Sequence, residues 1–277
     1  MTEIAGRTAF VTGGAQGIGL ALARALGERG ARVAITDVDA VALELAAREL
    51  AGVCDVRSWV LDVRDRAGFA RVAAEVTQTL GPVSLLCNNA GVLDSVSPGR
   101  MNYEQWDWNV GINLGGVYNG LQTFLPDMIA RREGGHVLNT ASEAGVAAGW
   151  SGFMYHATKY AVVGLSESLR VEVARHDIGV TVLCPGYVQT GIIDNSQSLR
   201  PASSPAPTAG VAAALEVGRE ELRNGVAPEE LAALAVDAVL HDRPYGFTRA
   251  SIGELIDTRA QDLLAHVPAA LPARATG

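Results

Sequence analysis

The chain has 277 residues, a length compatible with one α/β domain, and 48% of them are hydrophobic, which suffices for a large core. Its 22 basic and 30 acidic residues give a net charge of −8 without a basic block, which argues against nucleic acid and anionic membranes as partners. Because we find no signal-like segment, no long apolar run and no metal-ligand spacing among the three cysteines and five histidines, we expect a cytoplasmic protein with reduced cysteines, no metal and no membrane span.

A glycine-rich turn follows the first predicted strand. Apolar residues 8–11 lead into Thr12-Gly13-Gly14-Ala15-Gln16-Gly17-Ile18-Gly19, and a helical stretch from Leu20 to Arg29 comes next. This order is typical of dinucleotide binding: Gly13 allows a tight turn, Gly17 lets the backbone approach a pyrophosphate, and Gly19 permits close packing of helix on strand. An ordinary glycine-rich turn is the alternative, and the flanking strand and helix favour the cofactor.

Two acidic residues follow the next two strands. The strand from Arg32 to Thr36 ends at Asp37, and the strand from Arg57 to Leu61 ends at Asp62 and Val63. A carboxylate at Asp37 accepts hydrogen bonds from ribose hydroxyls and repels a 2′-phosphate, and no Arg or Lys lies in the glycine-rich turn, so we predict NAD as the cofactor. Asp37 can also be a helix N-cap. For Asp62, an adenine contact and a helix cap remain equal interpretations.

The middle of the chain continues this alternation of strands and helices. Strands are predicted over Val83–Cys87, Gly135–Thr140 and Gly179–Cys184, and helices over Val41–Ala51, Arg66–Leu80, Tyr103–Arg132 and Phe153–Arg175. Glycines and Asn113 inside the third of these helices predict a local kink or an interior water site. Asn88-Asn89-Ala90-Gly91, after the first of these strands, has amides that hold a loop and small residues that leave room for a flat ligand.

Tyr155 and Lys159 are four residues apart, so in a helix their side chains lie on one face. An ammonium near a phenol favours the phenolate, which would suit Tyr155 to proton transfer. The glycine- and alanine-rich residues 143–154 can fold back and bring Ser142 towards Tyr155. Glu143 is interpreted as a solvated or capping residue rather than a substrate contact.

These motifs together resemble those of the short-chain dehydrogenase/reductase family, in its NAD-type, single-domain form. The matching residues are Thr12, Gly13, Gly17, Gly19, Asp62, Asn88 to Gly91, Asn113, Ser142, Tyr155, Lys159, Pro185, Gly186 and Thr190. The resemblance implies a Rossmann-like, doubly wound α/β fold, with about seven parallel strands in the order 3-2-1-4-5-6-7 and helices on both faces. It covers the chain from Arg7 to about Gly191.

The resemblance also implies roles for individual residues. Tyr155 would be the general acid/base, Lys159 would lower its pKa and bind the nicotinamide ribose, Ser142 would hold the substrate oxygen, and Asn113 would position a water. The expected reaction is hydride transfer between NAD and a secondary alcohol or ketone. The predicted cofactor contacts are Gly13, Gln16, Gly17, Ile18, Gly19, Asp37, Asp62, Val63, Asn89, Ala90, Gly91, Tyr155, Lys159, Pro185, Gly186, Val188 and Thr190.

The last third of the chain departs from the family pattern. We expect residues 187–226 to be a long loop acting as a substrate lid, with a solvated insertion as the alternative. A helix over Pro228–Leu240, a short strand over Tyr245–Thr248 and a helix over Ser251–His266 are predicted next. The divergent segment 244–277 leaves a homodimer and a homotetramer both open. The whole chain, 1–277, is expected to be one dinucleotide-binding catalytic domain.

The predicted substrate contacts are mostly apolar: Ser142, Trp150, Tyr187, Ile192 and Ile193. They indicate a small-molecule substrate, a medium-sized, hydrophobic or ring-bearing alcohol or ketone. A reductase that prefers NADPH is one alternative function. A catalytically silent dinucleotide-binding protein is another, and the presence of Asn113, Ser142, Tyr155 and Lys159 together argues against it.

Overall fold

The structure, a computed structural model, describes residues 2–93, 96–149 and 151–268. Within them one parallel sheet has the order β3-β2-β1-β4-β5-β6-β7, so the predicted strand order is confirmed. Its strands are β1 (Thr8–Thr12), β2 (Arg32–Asp37), β3 (Val56–Val60), β4 (Val83–Asn88), β5 (Gly135–Thr140), β6 (Ile178–Cys184) and β7 (Tyr245–Phe247).

Helices cover both faces of this sheet, as the doubly wound fold requires. They are α1 (Gly17–Glu28), α2 (Ala40–Leu50), α3 (Arg66–Leu80), α4 (Tyr103–Val110), α5 (Gly116–Arg131), α6 (Phe153–Val173), α7 (Ile192–Leu199), α8 (Ala209–Arg223), α9 (Pro228–Leu240) and α10 (Ile252–Ala265). None of the helices in the described ranges is long and apolar enough to cross a membrane.

The central strand β1 shows why the sheet is buried on both sides. All five of its residues are buried, and successive side chains point to opposite faces. Ala9 and Val11 join the core under α1, α2 and α9, whereas Phe10 joins the core under α3, α5 and α6. The ring of Phe10 lies 4.6 Å from that of Phe124, centroid to centroid. The two cores leave the carboxyl ends of the strands free to carry a site.

The predicted long helix is interrupted where its glycines cluster. A π-helical turn over Gly111–Gly115 separates α4 from α5, so the predicted irregularity is confirmed. One extra residue in the helix rotates the backbone locally. Asn113 lies in this turn and is only 1% exposed, which places a polar side chain in the interior behind the site.

Segment 187–226 contains two helices, α7 and α8, and not the continuous loop that its prolines and serines suggested. The hydroxyl of Thr208 accepts a hydrogen bond from the amide of Val211 and caps α8. The two ends of the segment are joined, because Val188 and Val226 form a parallel bridge. The segment therefore leaves and rejoins the domain at one point beside β6.

The buried imidazole of His136 on β5 makes stability depend on pH. Its Nε2 lies 2.8 Å from the Thr181 hydroxyl, which donates to the Arg243 carbonyl and so accepts the Nε2 proton. His136 is 1% exposed, and burial lowers its pKa from 6.5 to about 4. In the unfolded chain this imidazole therefore binds a proton near pH 6.5, whereas in the folded chain it binds one only near pH 4.

We expect this histidine to contribute a loss of unfolding free energy of about 3 kcal/mol between pH 6.5 and pH 4. The loss begins as pH falls below the unfolded pKa and is complete at the folded pKa. Urea titrations across this range should show a shallower pH slope in His136→Gln than in the unsubstituted protein. His241→Gln, at an exposed histidine, is the control and should retain the full slope. Equal slopes in all three proteins would contradict the assignment.

Candidate active site

Tyr155 and Lys159 lie on one face of α6, in its first two turns. They are 6% and 3% exposed, respectively. The Lys159 ammonium lies 5.5 Å from the centre of the Tyr155 ring and donates a 2.9 Å hydrogen bond to the Thr140 carbonyl at the end of β5. The strand end and the helix together hold a phenol and an ammonium side by side in a buried position.

Burial dominates the acid–base properties of this pair. It raises the pKa of Tyr155 to about 12, partly offset by a hydrogen bond with Ser142, and lowers the pKa of Lys159 to about 8. The expectation from sequence was the opposite direction for Tyr155. The Lys159 ammonium donates a hydrogen bond to the Thr140 carbonyl and faces the ring of Tyr155 rather than its hydroxyl. Its positive charge therefore does not offset the effect of removing water from around the Tyr155 hydroxyl. Tyr155 is accordingly protonated at neutral pH.

Ser142 reaches Tyr155 because the chain after β5 folds back onto α6. Its hydroxyl accepts a 3.2 Å hydrogen bond from the Ala144 amide and caps a 3-10 turn over Glu143–Gly145. A Cβ on Gly145 would lie 2.7 Å from the Lys159 carbonyl, so this turn packs directly on the helix backbone. The predicted fold-back is what places Ser142 in hydrogen-bonding contact with Tyr155.

Asn113 lies behind the site. Its amide donates to the Val92 carbonyl at 2.9 Å and accepts from the Val92 amide at 2.8 Å. A Cβ on Gly91 would lie 3.2 Å from the Asn113 Oδ1 and 3.5 Å from the Lys159 Nζ, so these three residues meet. Asn113 thereby fixes the loop after β4, and the absence of a side chain at Gly91 keeps the space in front of Lys159 open.

The glycine-rich turn forms a surface that suits a pyrophosphate. Gly13 and Gly17 have φ angles of +63° and +53°, which residues with a side chain rarely adopt. A Cβ on Gly19 would lie 1.9 Å from the Gly13 carbonyl, so α1 packs against the turn itself rather than against the strand. No side chain caps α1, and its first turn holds no acidic residue. The backbone amides at the start of this helix are therefore available to bind an anion.

Thr12 and Asn89 tie β1 to the loop after β4. The Thr12 hydroxyl accepts hydrogen bonds from the amides of Asn89 and Ala90, at 2.9 and 3.0 Å. The Asn89 side chain donates to the Thr12 carbonyl at 3.2 Å and accepts from the Thr140 hydroxyl at 3.2 Å. This network, which the sequence analysis anticipated for Asn89 in general terms, connects the carboxyl ends of β1, β4 and β5. We name it the strand-end clamp.

The two acidic residues that follow β2 and β3, Asp37 and Asp62, differ in their partners. The Asp37 carboxylate accepts 3.2 Å hydrogen bonds from the amides of Ala15 and Asp39. Burial raises the pKa of Asp37. The N-cap of α2 is Asp39, so the interpretation of Asp37 as that cap is wrong.

Asp62 pairs with Arg64, which the sequence analysis did not consider. The closest approach, Arg64 Nη2 to Asp62 Oδ2, is 2.6 Å, and this hydrogen bond lowers the pKa of Asp62. Helix α3 begins after Asp65, so Asp62 does not cap it. The spacing of Asp62 and Arg64 in sequence was the available signal for this pair.

One cleft of about 630 Å³ runs along the carboxyl edge of the sheet and brings most of the predicted residues together. Of the predicted residues that the structure describes, Gly19, Asn113 and Ile193 do not line it. Ile193, on α7, is 1% exposed and packs in an apolar cluster with Leu93 and Leu215. Trp150 lies outside the described residues. The predicted residues that line the cleft are Gly13, Gln16, Gly17, Ile18, Asp37, Asp62, Val63, Asn89, Ala90, Gly91, Ser142, Tyr155, Lys159, Pro185, Gly186, Tyr187, Val188, Thr190 and Ile192.

Glu143 is neither solvated nor a cap, so that expectation is wrong. It is 8% exposed and forms a bidentate ion pair with Arg249, a residue that the sequence analysis did not single out. The pair spans 106 residues, and no local pattern in the sequence marks it.

Comparisons with known proteins agree with this geometry. A family model described as short chain dehydrogenase matches residues 7–200. The chain is 37% identical over 204 residues to a C alpha-dehydrogenase of Sphingobium sp. (strain NBRC 103272 / SYK-6), covering 73% of this chain and 67% of the relative. It is 33% identical over 234 residues to a 3beta-hydroxysteroid dehydrogenase 2 of Eggerthella lenta, covering 84% of this chain and 87% of the relative.

A solved structure extends the likeness to nearly the whole chain. It is a short chain dehydrogenase/reductase of Burkholderia phymatum in complex with NAD, 31% identical, with a TM-score of 0.92, and it covers 98% of this chain and 99% of that one. The fold and these relatives define an oxidoreductase. The chain belongs to the short-chain dehydrogenase/reductase family.

Proposed function

We propose that this protein is an NAD-dependent dehydrogenase that interconverts a medium-sized, hydrophobic secondary alcohol and the corresponding ketone. The observation that carries the proposal is the meeting of Tyr155, Lys159 and Ser142 midway along one cleft. The glycine-rich turn forms one half of this cleft, and apolar side chains dominate the other. The apolar half is lined by Leu93, Ile192, Leu199, Leu222, Ile252 and Leu255.

The residues of the first half fit a nicotinamide dinucleotide. The amides at the start of α1 would hold the pyrophosphate, Asp37 the adenosine ribose and Lys159 the nicotinamide ribose. The bound cofactor supplies the acceptor or donor of the hydride. The carboxylate of Asp37 favours NAD over NADP, and the relative from Burkholderia phymatum is described in complex with NAD.

In the mechanism that we propose, the chain's own residues handle the proton. The Ser142 and Tyr155 hydroxyls bind the substrate oxygen, and the Tyr155 Oη exchanges a proton with it. The raised pKa of Tyr155 keeps that proton in place, ready for donation to a ketone oxygen. Positive charge brought near Tyr155, from Lys159 or from a bound ligand, favours the phenolate that removes a proton from an alcohol.

The apolar half of the cleft supports a hydrophobic substrate. Side chains of α7, α8 and α10 line it, so we propose that segment 187–226 is an ordered substrate lid. The relative from Eggerthella lenta is named for a hydroxysteroid, a ring-bearing alcohol of the class proposed here. Small alcohols would leave much of this surface in contact with water and are expected to react with a high KM.

The test is growth of NADH absorbance when purified protein meets NAD⁺ and a panel of cyclic, aromatic and aliphatic secondary alcohols. NADP⁺ is run in parallel, and the matching ketones are run with NADH. Turnover with NAD⁺ or NADH on ring-bearing substrates, and little on propan-2-ol, is the expected result. Absence of turnover with every alcohol, ketone and cofactor would count against the proposal, and equal rates with NADPH and NADH would favour the alternative cofactor preference.

Asp37→Asn is expected to narrow the preference for NADH over NADPH by about tenfold, because it removes the charge that repels the 2′-phosphate and keeps an oxygen for the Ala15 amide. Fluorescence titration with each reduced cofactor measures the ratio. The matched control is Asp39→Asn, two residues away, where asparagine retains the helix cap. An unchanged ratio in Asp37→Asn, or an equal change in the control, would remove Asp37 as the selector.

A further inference from the structure

Glu143, the residue that follows Ser142, is joined to the divergent end of the chain by three hydrogen bonds from Arg249. The Arg249 Nε donates to the Glu143 Oε1 at 2.7 Å and to its Oε2 at 2.9 Å, and the Arg249 Nη2 also donates to Oε2. Only 10% of the Glu143 side chain is exposed, compared with 42% for Arg249. A buried carboxylate is thus neutralised by a guanidinium that comes from the rim of the cleft.

Gly186, one of the predicted cofactor contacts, lies against this ion pair. A Cβ on Gly186 would lie 2.7 Å from the Glu143 Oε1 and 3.1 Å from the Arg249 Nε, so a glycine leaves the room that the pair occupies. The Gly186 amide donates a 2.9 Å hydrogen bond to the Thr248 hydroxyl. Two neighbours in sequence are therefore bound to residues that line the cleft: Thr248 to the Gly186 amide and Arg249 to the Glu143 carboxylate.

The same segment supplies part of the apolar wall. The Arg249 guanidinium lies 5.5 Å from the centre of the Tyr187 ring, which lines the cleft. Ile252 and Leu255, one and two turns further on, line the cleft as well. Ile252 is 4% exposed, whereas Leu255 is 46% exposed at the rim. The segment 248–255 thus begins at the Glu143 ion pair and ends at the substrate half of the cleft.

We propose that the Glu143–Arg249 ion pair is a positioning device that holds segment 248–255 as a wall of the substrate half and so sets the size of alcohol that the site accepts. The inference rests on the function proposed above. Glu143 is adjacent to Ser142 in sequence, so the pair links the wall to the residue that binds the substrate oxygen. The ion pair, together with the hydrogen bond from the Gly186 amide to Thr248, then sets the distance between the reacting carbon and the apolar wall. Loss of the pair frees the wall and weakens the binding of large substrates, which depend on it, more than that of small ones.

The principal variant is Arg249→Met, which keeps most of the side-chain length and removes the charge. The double variant Glu143→Gln/Arg249→Met removes both charges, so that no unpaired carboxylate remains buried if the single variant folds poorly. Arg249→Lys keeps the charge with fewer hydrogen bonds. Arg243→Met is the matched control. The Arg243 side chain is 60% exposed, pairs with Asp237 on α9 and does not line the cleft.

Steady-state kinetics with ring-bearing secondary alcohols and with propan-2-ol are compared across these variants. In Arg249→Met and in the double variant we expect kcat/KM for the ring-bearing alcohols to fall about tenfold, chiefly through KM, with less than about a twofold change for propan-2-ol. Arg249→Lys should fall between, and Arg243→Met should match the unsubstituted protein. A uniform loss for all alcohols, or an unchanged ratio between large and small ones, would overturn the proposal.

Hydrogen exchange separates this inference from the proposed function. Amides of residues 248–255 are expected to exchange faster in Arg249→Met and in the double variant than in Arg243→Met, with NADH present in each case. Equal exchange rates would overturn the positioning role even if the kinetics changed. If the unsubstituted protein turns over none of the alcohols or ketones, the proposed function fails, and the exchange rates still decide whether the pair holds the segment.

Discussion

Tyr155→Phe should lose turnover by about a thousandfold or more while its affinity for NADH stays within about twofold. The substitution removes only the hydroxyl that would exchange a proton with the substrate. The ring is retained, and it packs with Leu93, Ala144 and Ile193 in a small apolar cluster beside the cleft, so the fold should be unchanged. Absorbance assays with the best alcohol give the rate, and fluorescence titration gives the NADH dissociation constant.

The matched control for this variant is Tyr160→Phe. Tyr160 is the next tyrosine on α6, and its ring contacts the guanidinium of Arg259 at 5.2 Å, away from the cleft lining. Removing its hydroxyl should leave both rate and affinity unchanged. Turnover that persists in Tyr155→Phe, or that is lost equally in Tyr160→Phe, would disprove the assignment of Tyr155 as the acid/base.

Gly19→Ala is expected to abolish measurable NADH binding and to lower the unfolding free energy by about 3 kcal/mol. The new methyl group would lie 1.9 Å from the Gly13 carbonyl and 2.7 Å from the Asn89 Nδ2, so the turn and the strand-end clamp must both shift. Since the clash is with backbone, a change of rotamer cannot relieve it. Fluorescence titration and urea denaturation measure the two effects.

The control is a second helical glycine at which a methyl group meets open space. Gly164 lies within α6, and among the residues that the structure describes nothing lies within 4 Å of the position that its Cβ would take. Gly164→Ala should therefore stabilise the protein by about 0.5 to 1 kcal/mol and leave NADH binding unchanged. NADH binding by Gly19→Ala at the unsubstituted level would show that the turn is far more adaptable than its contacts indicate.

Much of the fold was predictable because its signals are local. Short runs of four to six mostly apolar residues, separated by helical patterns with clear ends, marked the strands, and helix α3 was predicted with the bounds that it has. The strand order came from the family resemblance, since pairing between distant strands leaves no local trace. The Gly111–Gly115 irregularity was predictable too, because glycines weaken a helix wherever they cluster.

Helix α8 was missed although its signal was present. Prolines at 201, 205 and 207 drew attention to a loop, but Thr208 is followed by fifteen residues of helical character, Ala209–Arg223. A threonine before such a run is a typical N-cap. The error was to extend the proline-rich composition of the first half of the segment over the second half.

The contacts of the site that could not be predicted are those between distant parts of the chain. Asp37, Asp39 and Glu143 are all acidic residues that sequence alone does not distinguish. The fold decides that Asp37 lines the cleft, Asp39 caps a helix and Glu143 pairs with Arg249. Likewise, the pKa of Tyr155 depends on how completely its surroundings exclude water, which its spacing from Lys159 does not reveal. The predicted role of Tyr155 stays a prediction that the Tyr155→Phe variant tests, and the predicted roles of Lys159 and Asn113 stay predictions.

The strand-end clamp has a consequence for how ligands enter. Thr12 and Asn89 satisfy one another's backbone groups at the point where the helices after β1 and β4 diverge to opposite faces of the sheet. Contacts within the protein therefore hold the crevice between those strands open. The amides of Asn89 and Ala90 already have a partner in the Thr12 hydroxyl. A dinucleotide bound as proposed would meet a floor that is already shaped, so little conformational entropy would be lost in ordering it. Adjustments on binding are then expected at the rim, where residues of α7, α8 and α10 line the cleft.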